Sequence, residues 1–207
     1  MVRWTVVIGC LVSLCLLGCQ GQAKQRSRTF ASPDLAVKAL QTSFAEKDWE
    51  ACKSCIEYKP EWEEAAAAWH LVSSKWFQLR SDLVEVHGSG AWEQFLEALG
   101  NQTGWTVAIE FPETPDKVPV GSFRVSGDEA FFPNENPDFR LVRDEIGWRL
   151  DFHYHMAFKR PADAVKFYEA GARGYAKGIE LAKNKDEGVE KIAIAVHQEI
   201  AKGLQKP

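Results

Sequence analysis

The chain has no run of about twenty apolar residues, the length an α-helix needs to cross the hydrocarbon core of a bilayer. Its N-terminal apolar run, Trp4 to Leu17, has fourteen positions and is diluted by Thr5, Gly9 and Ser13. An excess of positive charge is also missing. The 25 Lys and Arg stand against 29 Asp and Glu, a net charge of −4. That balance argues against a nucleic-acid partner and against a surface that binds anionic lipid by itself. Phosphate loops are absent: Gly88-Ser89-Gly90 is too short, and no Lys follows it where one is needed. There is no nucleophile elbow and no metal-ligand motif, and no His follows Cys55 as c-type haem attachment requires. No internal repeat is visible. The sequence therefore asks for no cofactor.

What is present suits a folded domain. The 207 residues are 45% hydrophobic and include eight Trp, enough for a sizeable core. The length predicts one domain, or one with an appendage.

Arg3 and the amino terminus put positive charge before the apolar run, which closes on Leu16-Leu17-Gly18-Cys19. This pattern fits a signal peptide better than a membrane span. The closing tetrad resembles a lipobox, where a signal peptidase cuts before a lipidated cysteine. Gly18 is small enough for a peptidase groove, and the Cys19 thiol is the nucleophile that takes a diacylglyceryl group. Cys10 and Cys15 lack the combination of a small residue before and a polar stretch after. The resemblance implies an exported protein held to a membrane by acyl chains on Cys19. Each buried lipid CH₂ contributes about 0.8 kcal/mol, so three chains would anchor firmly. Gln20, being a residue other than Asp, implies outer-membrane sorting and a domain facing the periplasm. An uncleaved anchor is the rival reading. Loss of Arg3 with the signal leaves 24 basic against 29 acidic residues, a net charge of −5.

Residues 1–18 are thus read as the signal peptide and 19–31 as the lipidated cysteine with a polar, flexible tether. The fold is expected to start at Ser32-Pro33-Asp34, an N-cap followed by Pro at the first helical position. Leu35, Ala36, Ala39, Leu40, Ser43 and Phe44 follow at helical spacing. A short helix is expected from Asp48 through Ile56, and a long one, opened by Pro60, from Glu61 to about Leu83. After the His87–Gly90 break, a fourth helix runs from Ala91 to Leu99 and stops at Gly100-Asn101. Strands then follow. Trp105 to Phe111 alternates, Val120–Val125 and Glu129–Phe132 flank a turn, and Phe139–Val142 pairs with Trp148–His153. In the last strand Trp148, Leu150 and Phe152 share one face, and Arg149, Asp151 and His153 the other. Pro161 opens a helix to about Lys183. Asp186 opens a last one to about Leu204, with Val189, Ile192, Ala193, Val196, Ile200 and Leu204 on one stripe. Helices segregated from an antiparallel meander of about five strands predict an α+β fold.

Two stretches carry a family resemblance. Ser32-Pro33-Asp34-Leu35-Ala36-Val37-Lys38-Ala39-Leu40, followed by Lys47-Asp48-Trp49-Glu50-Ala51, resembles the opening of the NTF2-like (SnoaL-like) superfamily. The stretch from Phe139 to Leu150 resembles its last hairpin. The resemblance implies a curved antiparallel sheet wrapped round a long helix, leaving a conical pocket, over residues 32–158. Residues 159–207 would be a C-terminal helical extension packed on that domain.

Three groups of residues could carry chemistry. Asp151, His153 and His155 alternate onto one face of the last strand: a carboxylate beside two imidazoles, suited to general-base catalysis or, for His153 and His155, to a shared metal. The resemblance also implies bases on the sheet. If Trp148, Leu150 and Phe152 point inward, however, this set points to solvent. Cys52 and Cys55 have CxxC spacing, which suits a disulfide or redox pair, or two small buried thiols. Trp62, Trp69 and Trp76 lie at helical spacing and line either a ligand pocket or the core. Gly171, Gly174 and Gly178 interrupt an Ala-rich helix, where each costs about 1 kcal/mol against Ala, and predict close packing on another backbone.

The expected role is non-catalytic: a tethered domain binding a small apolar ligand or a protein partner. The alternatives are a pocket enzyme using Asp151, His153 or His155, and a purely structural envelope lipoprotein with an exposed apolar patch along Val189 to Leu204.

Overall fold

The computed structural model describes residues 30–103, 123–131, 140–153 and 158–205. Cys19, His155 and the expected strand Trp105–Phe111 lie outside them. The described elements are α1 (Pro33–Glu46), α2 (Trp49–Lys53), β1 (Ile56–Glu57), a 3₁₀ turn (Pro60–Trp62), α3 (Glu63–His87) and α4 (Ala91–Thr103). Then come β2 (Arg124–Ser126), β3 (Glu129–Phe131), β4 (Arg140–Asp144), β5 (Gly147–Asp151), α5 (Pro161–Ala182) and α6 (Val189–Gln205). This is an α+β arrangement of six helices and a five-stranded sheet, ordered β1-β5-β4-β3-β2.

Local chemistry accounts for the start of α1. Ser32 Oγ accepts the Leu35 N–H at 3.4 Å, Pro33 begins the helix, and Asp34 lies in the first turn. The helix ends on Lys47, whose φ of 59° is left-handed. Asp48 then caps α2 by accepting the Ala51 N–H at 2.9 Å.

The second helix is shorter than its sequence pattern suggests. It stops at Lys53, and Ile56 joins a strand. The reason lies far along the chain: Cys55 O accepts Leu150 N–H at 2.8 Å, and Glu57 O accepts Phe152 N–H at 3.0 Å. β1 runs parallel to β5, so the sheet is mixed, not wholly antiparallel as expected. The same edge of β5 is closed further up by Phe30, whose carbonyl accepts Trp148 N–H at 3.1 Å. The backbones approach so closely that a Cβ on Gly147 would lie 2.7 Å from Phe30 O, and Gly147 has a φ of +106° that favours glycine. Phe30 is itself buried in the core. Ordered structure therefore includes two residues that the sequence assigned to the tether.

The two hairpins form as expected, with tighter turns: β2 and β3 pair around Gly127-Asp128, β4 and β5 around Glu145-Ile146. Alternation along β5 is also as read. Trp148, Leu150 and Phe152 are buried, while Arg149, Asp151 and His153 are half-buried on the opposite face. α4 passes through Gly100 to Thr103 rather than ending there. A glycine weakens a helix by about 1 kcal/mol but does not force it to stop.

One core links both halves. α1 packs on β5 at the inner sheet face, and Trp69 of α3 meets Phe152, just past β5, edge-on with ring centroids 5.4 Å apart. The other side of α3 packs along α5, which packs on α6, and α6 also covers α4. Gly174 and Gly178 allow that approach, as expected of close backbone packing. A Cβ on Gly174 would sit 2.9 Å from Val196 O, and one on Gly178 2.8 Å from Val196 Cγ2. Ile192, Ala193, Val196 and Ile200 are buried. The α6 stripe is thus covered by the protein's own helices, and the exposed patch expected of a structural lipoprotein does not lie there.

Candidate functional site

The outer face of β5 held the best set of chemical groups in the sequence, and the sheet register decides what they do. Arg140 on β4 lies across from Asp151 on β5. Its Nη1 is 3.1 Å from Asp151 Oδ2, and its other nitrogen pairs with Glu129 on β3. Arg149 likewise bridges two carboxylates, Glu57 on β1 and Asp144 on β4. The face is a lattice of guanidinium–carboxylate pairs that ties four strands together. A carboxylate whose oxygens already accept from a guanidinium is occupied, which is poor preparation for a proton-transferring base.

His153 is also occupied. Its Nε2 accepts the Lys59 backbone N–H at 3.1 Å, and its ring meets Trp62 edge-on at 5.2 Å. An imidazole that accepts at Nε2 carries its proton on Nδ1 when neutral. The bond extends the β1–β5 pairing by one side chain and fixes the approach to α3. Nε2, the atom a metal or a substrate proton would need, is engaged by the backbone. Among the described residues, no three His, Cys, Asp or Glu gather as a metal site. His155, the second imidazole of the expected pair, is outside the described residues.

Cys52 and Cys55 are free thiols and both are buried, so the disulfide alternative is not formed here. Cys55 Sγ donates to Ala51 O at 3.3 Å. Burial pushes the Cys52 thiol well above its usual range, with a smaller opposing effect from the Ser43 hydroxyl. A thiol held neutral and covered is a packing group rather than a nucleophile.

The three tryptophans do not converge. Trp62 abuts His153 at the sheet edge. Trp69 lies between Phe44 and Phe152, with centroids 5.1 and 5.4 Å away. Trp76 faces the helical half, 4.4 Å from Trp92 and 5.2 Å from Tyr175. Spread along α3, they join its neighbours to one another.

Two histidines on α3 escaped the sequence reading. His70 is buried among Phe44, at 5.7 Å, and Trp49, at 5.6 Å, and its Nε2 is 3.2 Å from Ser43 O near the end of α1. Burial lowers its pKa, against smaller raising effects from the Ser43 backbone bond and from Asp48. His87, at the end of α3, holds Ala182 O at the end of α5 at 3.1 Å. Each places a ring nitrogen against a carbonyl in the last turn of another helix, where intrahelical donors run out. Their partners lie 27 and 95 residues away in sequence. Nothing in the sequence near either residue signals the contact.

Compared with protein-family models, with curated proteins and with solved structures, the chain matches none of them.

Proposed function

We propose that the chain is an exported bacterial lipoprotein, anchored through acyl chains on Cys19 in the outer membrane and facing the periplasm. Its domain works without catalysis by engaging a protein partner. The observation that carries the non-catalytic reading is the state of the Asp151–His153 pair: the carboxylate is bound by Arg140, and His153 Nε2 is bound by the Lys59 amide. A protein partner is favoured over a small apolar ligand because Trp62, Trp69 and Trp76 each pack in a different place. The NTF2-like reading of the middle of the chain belongs to the same proposal. Its support is the order α1, α2, β1, the long helix α3 and, after α4, four antiparallel strands, with α1 packed on β5 and Trp69 of α3 against Phe152. The helices α4, α5 and α6 go beyond that plan.

Labelling with radioactive palmitate tests the anchor. The full chain is expected to take up label and sediment with membranes, and Cys19→Ser to do neither. An unlabelled, uncleaved wild type overturns the proposal. Complementation of a deletion strain tests the rest. The Asp151→Asn/His153→Gln double variant is expected to restore the lost phenotype in full, and Cys19→Ser is expected to fail. Failure of the folded double variant would return the site to catalysis.

A further inference from the structure

We infer that His70 is an acid-sensitive latch where α1, α2 and α3 meet: neutral, it closes the end of α1 and holds α2 down; protonated, it leaves its site and lets α2 loosen. The geometry supplies both halves of this statement. Ser43 O accepts three donors from beyond its own helix, the N–H of the cap residue Lys47, the Asp48 N–H at 2.9 Å and the His70 ring at 3.2 Å. A carbonyl accepts, so the neutral ring carries its proton on Nε2. The same serine's hydroxyl donates to Leu40 O at 2.6 Å and interacts with the Cys52 thiol on α2. One residue of α1 therefore joins His70 of α3 to the cap and body of α2.

Protonation would not remove the Nε2–H bond by itself. It would put a full charge between Phe44 and Trp49, where water is largely excluded, and a charge of that kind is costly to bury. Charged and titratable groups around the ring are few. Asp48 of α2 attracts the cation, but its carboxylate already accepts the Ala51 N–H. Cys52 is a neutral thiol. Lys47 of α1 turns aside to Gln78 on α3, with Nζ 2.9 Å from the amide oxygen. Trp49, half-buried, packs on the His70 ring with centroids 5.6 Å apart and carries Lys53 Nζ 5.8 Å from its own centroid. Burial therefore outweighs Asp48, and the protonated ring gains by moving out past Trp49 into water. Ser43 O then loses one of its three external donors, and Trp49 of α2 loses the ring packed against it at 5.6 Å.

Histidine ring NMR and amide exchange on the full-length chain in detergent micelles test this. As pH falls, the His70 ring is expected to protonate. The protection factors of the Cys52 and Cys55 amides, which bond to Asp48 O and Cys52 O, are expected to fall about tenfold once the intrinsic rate at each pH is divided out. His70→Gln keeps an N–H for Ser43 O but cannot titrate. It should abolish the acid step while leaving exchange at neutral pH unchanged. An equal acid step in His70→Gln overturns the latch. Should that variant not fold, the wild type decides: coincident midpoints for ring protonation and α2 exchange support the latch, and separate midpoints overturn it.

Discussion

Two helix seams of the same core solve the same packing problem with opposite chemistry. Between α5 and α6 the contact is made mainly by Gly174, Gly178, Val196, Ile200 and their neighbours, with the Arg173 guanidinium lying against Gly203. Between α1 and α3 the buried contact includes Ser43 and His70, joined by a hydrogen bond, alongside Phe44 and Trp69. The apolar seam depends on volume, because close-packed atoms tolerate neither gaps nor excess. The polar seam depends on volume and also on protonation, because its hydrogen bonds are fixed to particular donors.

The largest expected break comes from Trp69→Ala, which removes the ring joining Phe44 of α1 to Phe152 of the sheet. A loss of about 4 kcal/mol is expected from a fully buried aromatic, readable as a lower urea midpoint. Next is Gly174→Val. A side chain there collides with Ile200 and Val196, and about 3 kcal/mol should be lost with the same pH profile as the wild type. His70→Ala should cost about 2 kcal/mol at neutral pH, by removing the ring's bond to Ser43 O and opening a gap beside Phe44 and Trp49. It should also change the pH profile. The native pKa of His70 lies below its unfolded value, so the unfolded chain binds the proton first as pH falls. The wild type therefore keeps this contribution above about pH 6.5 and loses it as pH drops toward the native pKa. Stability of His70→Ala should fall less steeply across that window in denaturant titrations at stepped pH. If Gly174→Val flattened the profile instead, the contrast between the seams would collapse. The smallest effect is Ser32→Ala, about 1 kcal/mol from loss of the α1 cap. Its signature is faster exchange of the Leu35 amide.

Much of the fold could be read locally. The Ser32-Pro33-Asp34 cap, the two hairpins, the alternation of β5 and the buried stripe of α6 all follow from patterns spanning fewer than twenty residues. Two misread elements share one cause. Ile56 looked helical because its strand exists only through hydrogen bonds to β5, whose residues follow about ninety positions later. Phe30 looked like tether because its one pairing partner is Gly147. The candidate site was legible as a list of residues but not as a state. Asp151 and His153 were placed on the correct face, and the occupants of that face, Arg140 and the Lys59 amide, come from other elements.

The sequence by itself determined which residues cap, turn and alternate, because those choices depend on backbone sterics and on neighbours a few positions away. It also placed the small residues of α5 where a second helix could approach. Only the tertiary structure decided that His153 serves the backbone, that Arg140 takes the carboxylate of Asp151, and that His70 and His87 close the ends of other helices. A side chain's chemistry depends on the donors, charges and water around it, and in this protein those neighbours come from elsewhere in the chain.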